Sequence, residues 1–204
     1  MEYVAEVGRR ERKRQAVHQS LLETAGELFE QRGIARTTID DIVQAVDVAR
    51  QTFFNHFPYK EAIALELGAD GVREIALRAH AWLEAGTPAV EVLERLGTEV
   101  LETAISQGEL AVVLARELLH SDPARAERAA EQIPLSRIFE AVLIQAREEG
   151  AIRADLPMDV VAARIGAVLT SITAQIMSVG HDQLRRELKV CLEMVLHGIE
   201  ERRT

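Results

Sequence analysis

Residues Thr37 to Phe57 read TTIDDIVQAVDVARQTFFNHF, and this stretch constrains the fold more than any other in the chain. Thr37 and Thr38 precede Asp40 and Asp41 at capping-box spacing, so a helix starts there. Its apolar face is Ile39, Ile42, Val43 and Val46. Asp47-Val48 then makes a tight turn, where Asp takes up a left-handed backbone less easily than Gly. A second short helix is predicted over about Ala49–His56. Phe53 and Phe57, four apart, turn inward with Val48, which leaves Arg50, Gln51, Thr52 and Asn55 on the outer side. Two short helices about a tight turn, the second polar outside, form a helix-turn-helix, a unit that presents its second helix to the major groove of duplex DNA.

The neighbouring segments supply the frame for that unit. A first long helix is predicted from about Glu11 to Arg32, with Val17, Leu21, Ala25, Leu28 and Phe29 on one stripe and Gly33 as its cap. Pro58 suits the entry to a fourth helix that begins near Tyr59 and continues through Ala62, Ile63, Leu65 and Leu67. Gly68-Ala69-Asp70-Gly71 offers a break, bend or boundary, and a place for movement. Beyond it come amphipathic helices at about 70–84, 88–106, 108–120, 124–149, 157–179 and 182–202, with Pro134 interrupting the fourth. Ala, Leu, Val and Ile dominate, and strict alternation is nearly absent. The expected fold is all-α: a three-helix helix-turn-helix head at 1–67 and an antiparallel helical bundle at 68–204.

Charge is divided along the chain. The net charge is −9, yet residues 1–60 carry 9 Lys+Arg and 9 Asp+Glu, so the deficit lies wholly beyond them. Within the head, Arg9, Arg10, Arg12, Lys13 and Arg14 form a basic cluster broken only by Glu11. Beside a helix-turn-helix, such a cluster favours contact with DNA while the acidic body stays off the phosphates. The lone Cys191 cannot form an internal disulfide, the N-terminus is charged where a signal peptide needs apolar residues, and no apolar run approaches membrane-span length. A cytoplasmic protein is expected.

The last two predicted helices carry long apolar stripes: Val161, Ile165, Val168, Leu169, Ile172 and Ile176 on one, Leu184, Leu188, Cys191, Leu192, Val195 and Ile199 on the other. Intramolecular core would account for either stripe. The first helix, however, is apolar over much of its circumference, which favours a four-helix contact between two subunits. Of eight aromatic residues only Trp82 and Phe139 lie beyond residue 60, so a pocket in the body has aliphatic walls. Such walls suit a flexible aliphatic or acyl-type effector, expected near Leu101, Ile105, Leu114, Leu118, Phe139, Leu143 and Met177. A core without any ligand needs the same residues. The six histidines show no metal-binding spacing, and there is no phosphate loop or nucleophile motif. Neither catalysis, metal nor cofactor is expected.

LFEQRG at Leu28–Gly33, TTIDDI at Thr37–Ile42 and VARQTFFNHFPYKEA at Val48–Ala62 together resemble the TetR family of bacterial transcriptional regulators. A further stretch, EGAIRADLPMDVVAARI at Glu149–Ile165, is similar to the segment ahead of the last two helices. The resemblance implies a homodimer joined through those two helices, with a DNA-binding head and a body that binds a small effector. It places Arg50, Gln51, Thr52 and Asn55 in the major groove, and Thr38, His56, Tyr59 and Lys60 on the phosphate backbone. Arg bridges guanine and Gln or Asn bridges adenine in that groove. Phe54, where the family usually has Tyr, stays in the DNA-facing set without a phenolic hydroxyl. Asp47 stands where the family usually has Gly. Two heads about 34–36 Å apart read a palindrome. The expected function is therefore a repressor released from a palindromic operator by its effector. A helical dimeric ligand sensor or adaptor without DNA binding, and a transcriptional activator, are the alternatives.

Overall fold

The structure, a computed structural model, describes residues 2–199, with side chains from residue 8 onward. Every regular element among the described residues is an α-helix, in agreement with the all-α expectation. The chain divides into two compact units, Met1–Leu67 and Gly68–Thr204.

In the first unit, α1 (Glu2–Arg32) begins nine residues earlier than its apolar pattern suggests. Residues 9–16 are exposed and burial resumes at Val17, so the turns over 9–16 are helical without facing a core. Leu21, Ala25 and Phe29 form the buried stripe, and Gly33 ends the helix at φ 86°. Helix α2 (Ile39–Val46) starts in the capping box: the Asp41 amide donates to Thr38 Oγ1, and the Thr38 amide donates to Asp41 Oδ2 at 2.8 Å. It buries Ile42 and Val43, and α2 packs on α1 and on α3.

The turn after α2 bends through Asp47 at φ 57° and ψ 51°, the left-handed region. Asp47 is the single non-glycine at positive φ among the described residues. Its Cβ crowds the following carbonyl there, a clash glycine lacks. Asp47→Gly should therefore raise unfolding stability, by up to about 1 kcal/mol. Urea denaturation of the two proteins checks this, and a lower midpoint for the variant would show that the turn carries no such strain.

Helix α3 (Arg50–Phe54) is shorter than the predicted span to His56. The chain leaves it through a turn in which the His56 and Phe57 amides both donate to Phe53 O at 2.9 Å. Pro58 blocks continuation, because its ring disfavours a helical residue before it. Helix α4 (Glu61–Glu84) then runs unbroken through Gly68 and Gly71, where the sequence offers a break. Gly68 serves packing instead: a Cβ there would collide with Leu114 Cδ1.

The second unit holds the rest of α4 with α5 (Ala89–Gln107), α6 (Glu109–Leu118), α7 (Pro123–Gln132), α8 (Leu135–Glu148), α9 (Met158–Thr173) and α10 (His181–Ile199). Pro134 separates α7 from α8, as its missing amide and fixed φ dictate. Helix α5 packs against α6, α8, α9 and α10, and α8 lies along α9. Their shared core includes Leu93, Leu96, Phe139, Leu143, Leu169 and Leu184. Helix α9 stops at Thr173 instead of 179. Gln175 and Ile176 donate to Ile172 O and Thr173 O, tightening the chain into i→i+3 turns. That tightening buries Ile176 and turns Met177 outward, 68% exposed. The predicted residues 200–202 of the last helix lie outside the described ones. No helix among the described residues is long and apolar enough to cross a membrane.

Candidate nucleic-acid interface

Helix α3 is a platform of five residues with one buried side chain, Phe53. Phe53 meets Phe57 at 5.9 Å and Phe54 edge-on at 5.6 Å between ring centroids. With that anchor fixed, Arg50, Gln51, Phe54 and Asn55 are exposed and Thr52 is half-buried. Long polar side chains on a rigid inner anchor are what base recognition needs.

The exposed groups are held by one another. Arg50 Nη1 donates to Asp40 Oδ1 at 2.7 Å, and its guanidinium lies 5.8 Å from the centre of the Phe54 ring. Gln51 Nε2 donates to Asn55 Oδ1 at 3.2 Å, an i,i+4 pair. Both partners of the Arg50–Asp40 pair are mostly solvated, so exchanging Asp40 for another acceptor costs under about 1 kcal/mol. Asp40 thus parks the guanidinium beside α3, a role the sequence pattern does not disclose.

The four expected backbone-contacting residues are differently placed. Thr38 is exposed, but its hydroxyl donates to Asp41 Oδ2 at 2.6 Å within the cap. That hydroxyl, the Thr38 amide and then Arg32 hold the Asp41 carboxyl below its usual range. Lys60 Nζ donates to Ile34 O at 2.6 Å and to Thr37 O at 2.8 Å. It ties the α1–α2 connection to the start of α4, which leaves one of its three donors for a phosphate. Tyr59 is half-buried beside it.

His56 is half-buried, and its Nδ1 has no hydrogen-bond partner among the described residues. Burial, then the charges of His18 and Arg14, push its pKa below the ordinary histidine value. Near pH 7 it is therefore neutral, and meets an acceptor as an N–H donor instead of a cation. His18 stacks on Phe57 at 4.6 Å and hydrogen-bonds Glu66 Oε1 at 2.8 Å, so α1, the α3–α4 turn and α4 meet in this cluster.

The second unit contains an apolar cavity of ≈ 60 Å³ bounded by α4, α5, α6, α9 and the α7–α8 junction. Val72, Ile75, Val100, Leu114, Leu118 and Ile133 give it aliphatic walls. Thr103, Gln107, Thr170 and Thr173 supply its polar points. Of the positions expected around an effector, Leu114 and Leu118 line it. Phe139 and Leu143 are fully buried in the core, Ile105 is half-buried against that core, and Met177 is on the surface. Leu101 borders a different hollow of ≈ 310 Å³ between α5 and α10. That hollow is the larger, but the Glu102–Arg185 ion pair at 2.7 Å, Glu94, Lys189 and Glu193 make it charged, so the smaller cavity is the better apolar site. Thr170 and Thr173, polar residues one helical turn apart on an apolar stripe, are the sequence signal for that cavity.

Comparison with known proteins follows the same division. Residues 21–67 match the bacterial regulatory proteins of the tetR family. Residues 69–198 match the C-terminal domain of TetR/AcrR family transcriptional repressors. The HTH-type transcriptional repressor DhaR of Mycobacterium sp. (strain GP1) is 32% identical over 153 residues, spanning 73% of this chain and 76% of DhaR. Thermus thermophilus FadR, a TetR-family repressor solved in complex with lauroyl-CoA, superposes with a TM-score of 0.83 at 30% identity, covering 92% of this chain and 97% of FadR. Bacillus subtilis FadR, solved with stearoyl-CoA, shares the fold at a TM-score of 0.66 and 20% identity, over 89% and 99% of the two chains.

Proposed function

The chain belongs to the TetR family of bacterial transcriptional regulators, and from that premise we propose that it is a homodimeric repressor of a palindromic operator, released by an acyl-type effector. Sequence-specific DNA binding rests on one observation above the others: Arg50, Gln51 and Asn55 stand exposed on a helix that Phe53 locks from beneath. Thr52 and Phe54 complete that surface, and Thr38, His56, Tyr59 and Lys60 flank it toward the phosphates. The expected cytoplasmic location and residues 1–67 as the DNA-binding domain belong to the same reading.

Dimerisation through α9 and α10 is supported by apolar residues exposed there: Val160, Val190 and Met194. The acyl class is supported by aliphatic cavity walls and by the lauroyl-CoA held by the Thermus relative. Leu114 and Leu118 are the proposed apolar contacts, with Thr170 and Thr173 for a polar group. Release requires that the effector favour a dimer whose two α3 helices miss adjacent grooves. Effector and DNA then weaken one another by the same coupling, about 1–3 kcal/mol.

Fluorescence anisotropy with duplexes from the gene's own upstream region tests this. Wild type should bind one twofold-symmetric site, and lauroyl-CoA should release it. Arg50→Ala should lose about 1–3 kcal/mol, roughly five- to 150-fold, with helicity and dimer mass unchanged. Equal affinity in the variant removes Arg50 from the interface, whereas a complex indifferent to lauroyl-CoA removes the acyl effector. Failure of wild type to bind any duplex leaves the sensor reading in place of the repressor.

A further inference from the structure

The part of α1 ahead of its buried stripe, residues 9–16, forms a charged helical arm that the expected contacts of α3 do not use. Residues 9–16 are all exposed, although the helix is continuous through them. They contain Arg9, Arg10, Arg12, Lys13 and Arg14 against one acid, Glu11. Glu11 is committed to Arg14, whose Nη2 donates to Glu11 Oε1 at 3.1 Å. Within residues 9–16, five cations stand against that one carboxylate, with Glu6 three residues ahead of Arg9. Arg9, Arg12 and Lys13, at spacings of three and four, share the face opposite Leu21, Ala25 and Phe29.

Two observations locate this arm within its unit. His18 stacks on Phe57 and its ring centre is 5.5 Å from that of His56, so α1 passes directly beside the turn that ends α3. Arg14, one helical turn ahead of His18, is near enough for its charge to lower the His56 pKa. The cations at 9–13 lie farther along the same helix, about 8–14 Å from His18. They also lie ahead of residue 21, where the match to the family's head begins.

We infer that this arm is a second DNA-contacting element, which grips phosphates flanking the bases read by α3. The inference rests on the DNA-binding reading of α3 and adds a partner surface to it. Duplex phosphates are the favoured occupant because the helix that carries the arm shares a compact unit with α3 and, at His18, packs beside the turn that follows it. The arm carries no base information: cations spread over a helix face neutralise charge without choosing a sequence.

The test measures binding against salt for wild type and for the variant Arg9→Gln/Arg10→Gln/Arg12→Gln/Lys13→Gln, on cognate and scrambled duplexes. Each phosphate that the variant no longer neutralises lowers the slope of log K against log salt by about 0.9. If each subunit of a twofold complex gives up two phosphates, the slope falls by roughly 4, and affinity falls on both duplexes alike. A second measurement needs only wild type. Trimming the base pairs outside the half-sites should reproduce the same fall in slope, and the variant should no longer respond to trimming. Unchanged slopes in both measurements overturn the arm while leaving the repressor reading intact. A weakening confined to the cognate duplex also overturns it, since that marks base readout. Preference of the wild-type arm for anionic vesicles, with DNA slopes unaltered, overturns it in favour of a membrane surface. Wild type that binds no duplex overturns the arm and the repressor reading together.

Discussion

Phe53→Ala should unfold the DNA-reading surface while sparing the rest of the chain. Phe53 is fully buried, and it is the one buried side chain of a five-residue helix too short to persist by its own hydrogen bonds. Deleting the ring removes its packing on Phe54 and Phe57 and leaves a void under α3, at a cost of about 3–5 kcal/mol. That is a large part of what a unit of this size has to spare. The single tryptophan provides an internal control, because Trp82 lies in the second unit. Specific duplex binding should vanish and helicity should melt earlier, while the Trp82 fluorescence transition keeps its midpoint. A variant that binds its operator as wild type does would show that α3 is held by something other than this ring.

Arg125→Ala should cost nearly as much in the second unit, and most of that cost should disappear when its partner is replaced as well. Glu117 of α6 is buried, with a side chain 5% exposed, and Arg125 of α7 grips both of its oxygens. Helix α7 has one buried residue, Ala129, so this ion pair is a main attachment of α7 to α6. Removing the guanidinium strands a carboxylate in a poorly solvated place, for about 3–5 kcal/mol, toward the lower end because Arg125 itself is partly solvated. Replacing both residues, as Glu117→Leu/Arg125→Leu, removes the charge together with its need for a partner, and should return stability to within about 1 kcal/mol of wild type. Thermal and urea unfolding of the single and double variants give the comparison. A double variant as unstable as Arg125→Ala would mean that α7 depends on the ion pair for more than its charge balance.

The helix-turn-helix is legible in the sequence because its signals are local. Thr38 and Asp41 are three residues apart, Phe53 and Phe57 four, and a stop at Pro58 follows from its own ring. The groups that hold the surface in place are remote in sequence. Asp40 reaches Arg50 across ten positions, and Lys60 reaches Ile34 across twenty-six; neither has a spacing that periodicity reveals. Sequence pattern casts Lys60 as a cation for phosphate, whereas it spends two donors on backbone carbonyls. The end of α9 is hidden for a different reason: no Gly or Pro marks Thr173, and the first such residue is Gly180. A helix drawn to 179 places Met177 inside, although it points to solvent. The cavity is least legible of all. Five segments of chain supply its walls, so only the threonines of α9 announce it.

At ≈ 60 Å³ the cavity has room for little more than a water or two, whereas sites for whole ligands measure about 300–1,000 Å³. The proposed acyl effector would thus find no ready-made slot, and would enter only when Leu114 and its neighbours swing aside. Capture then waits on that breathing: observed rates should level off as ligand is raised, instead of climbing with every collision. The tempo of gene derepression would be written into the stiffness of a few aliphatic side chains.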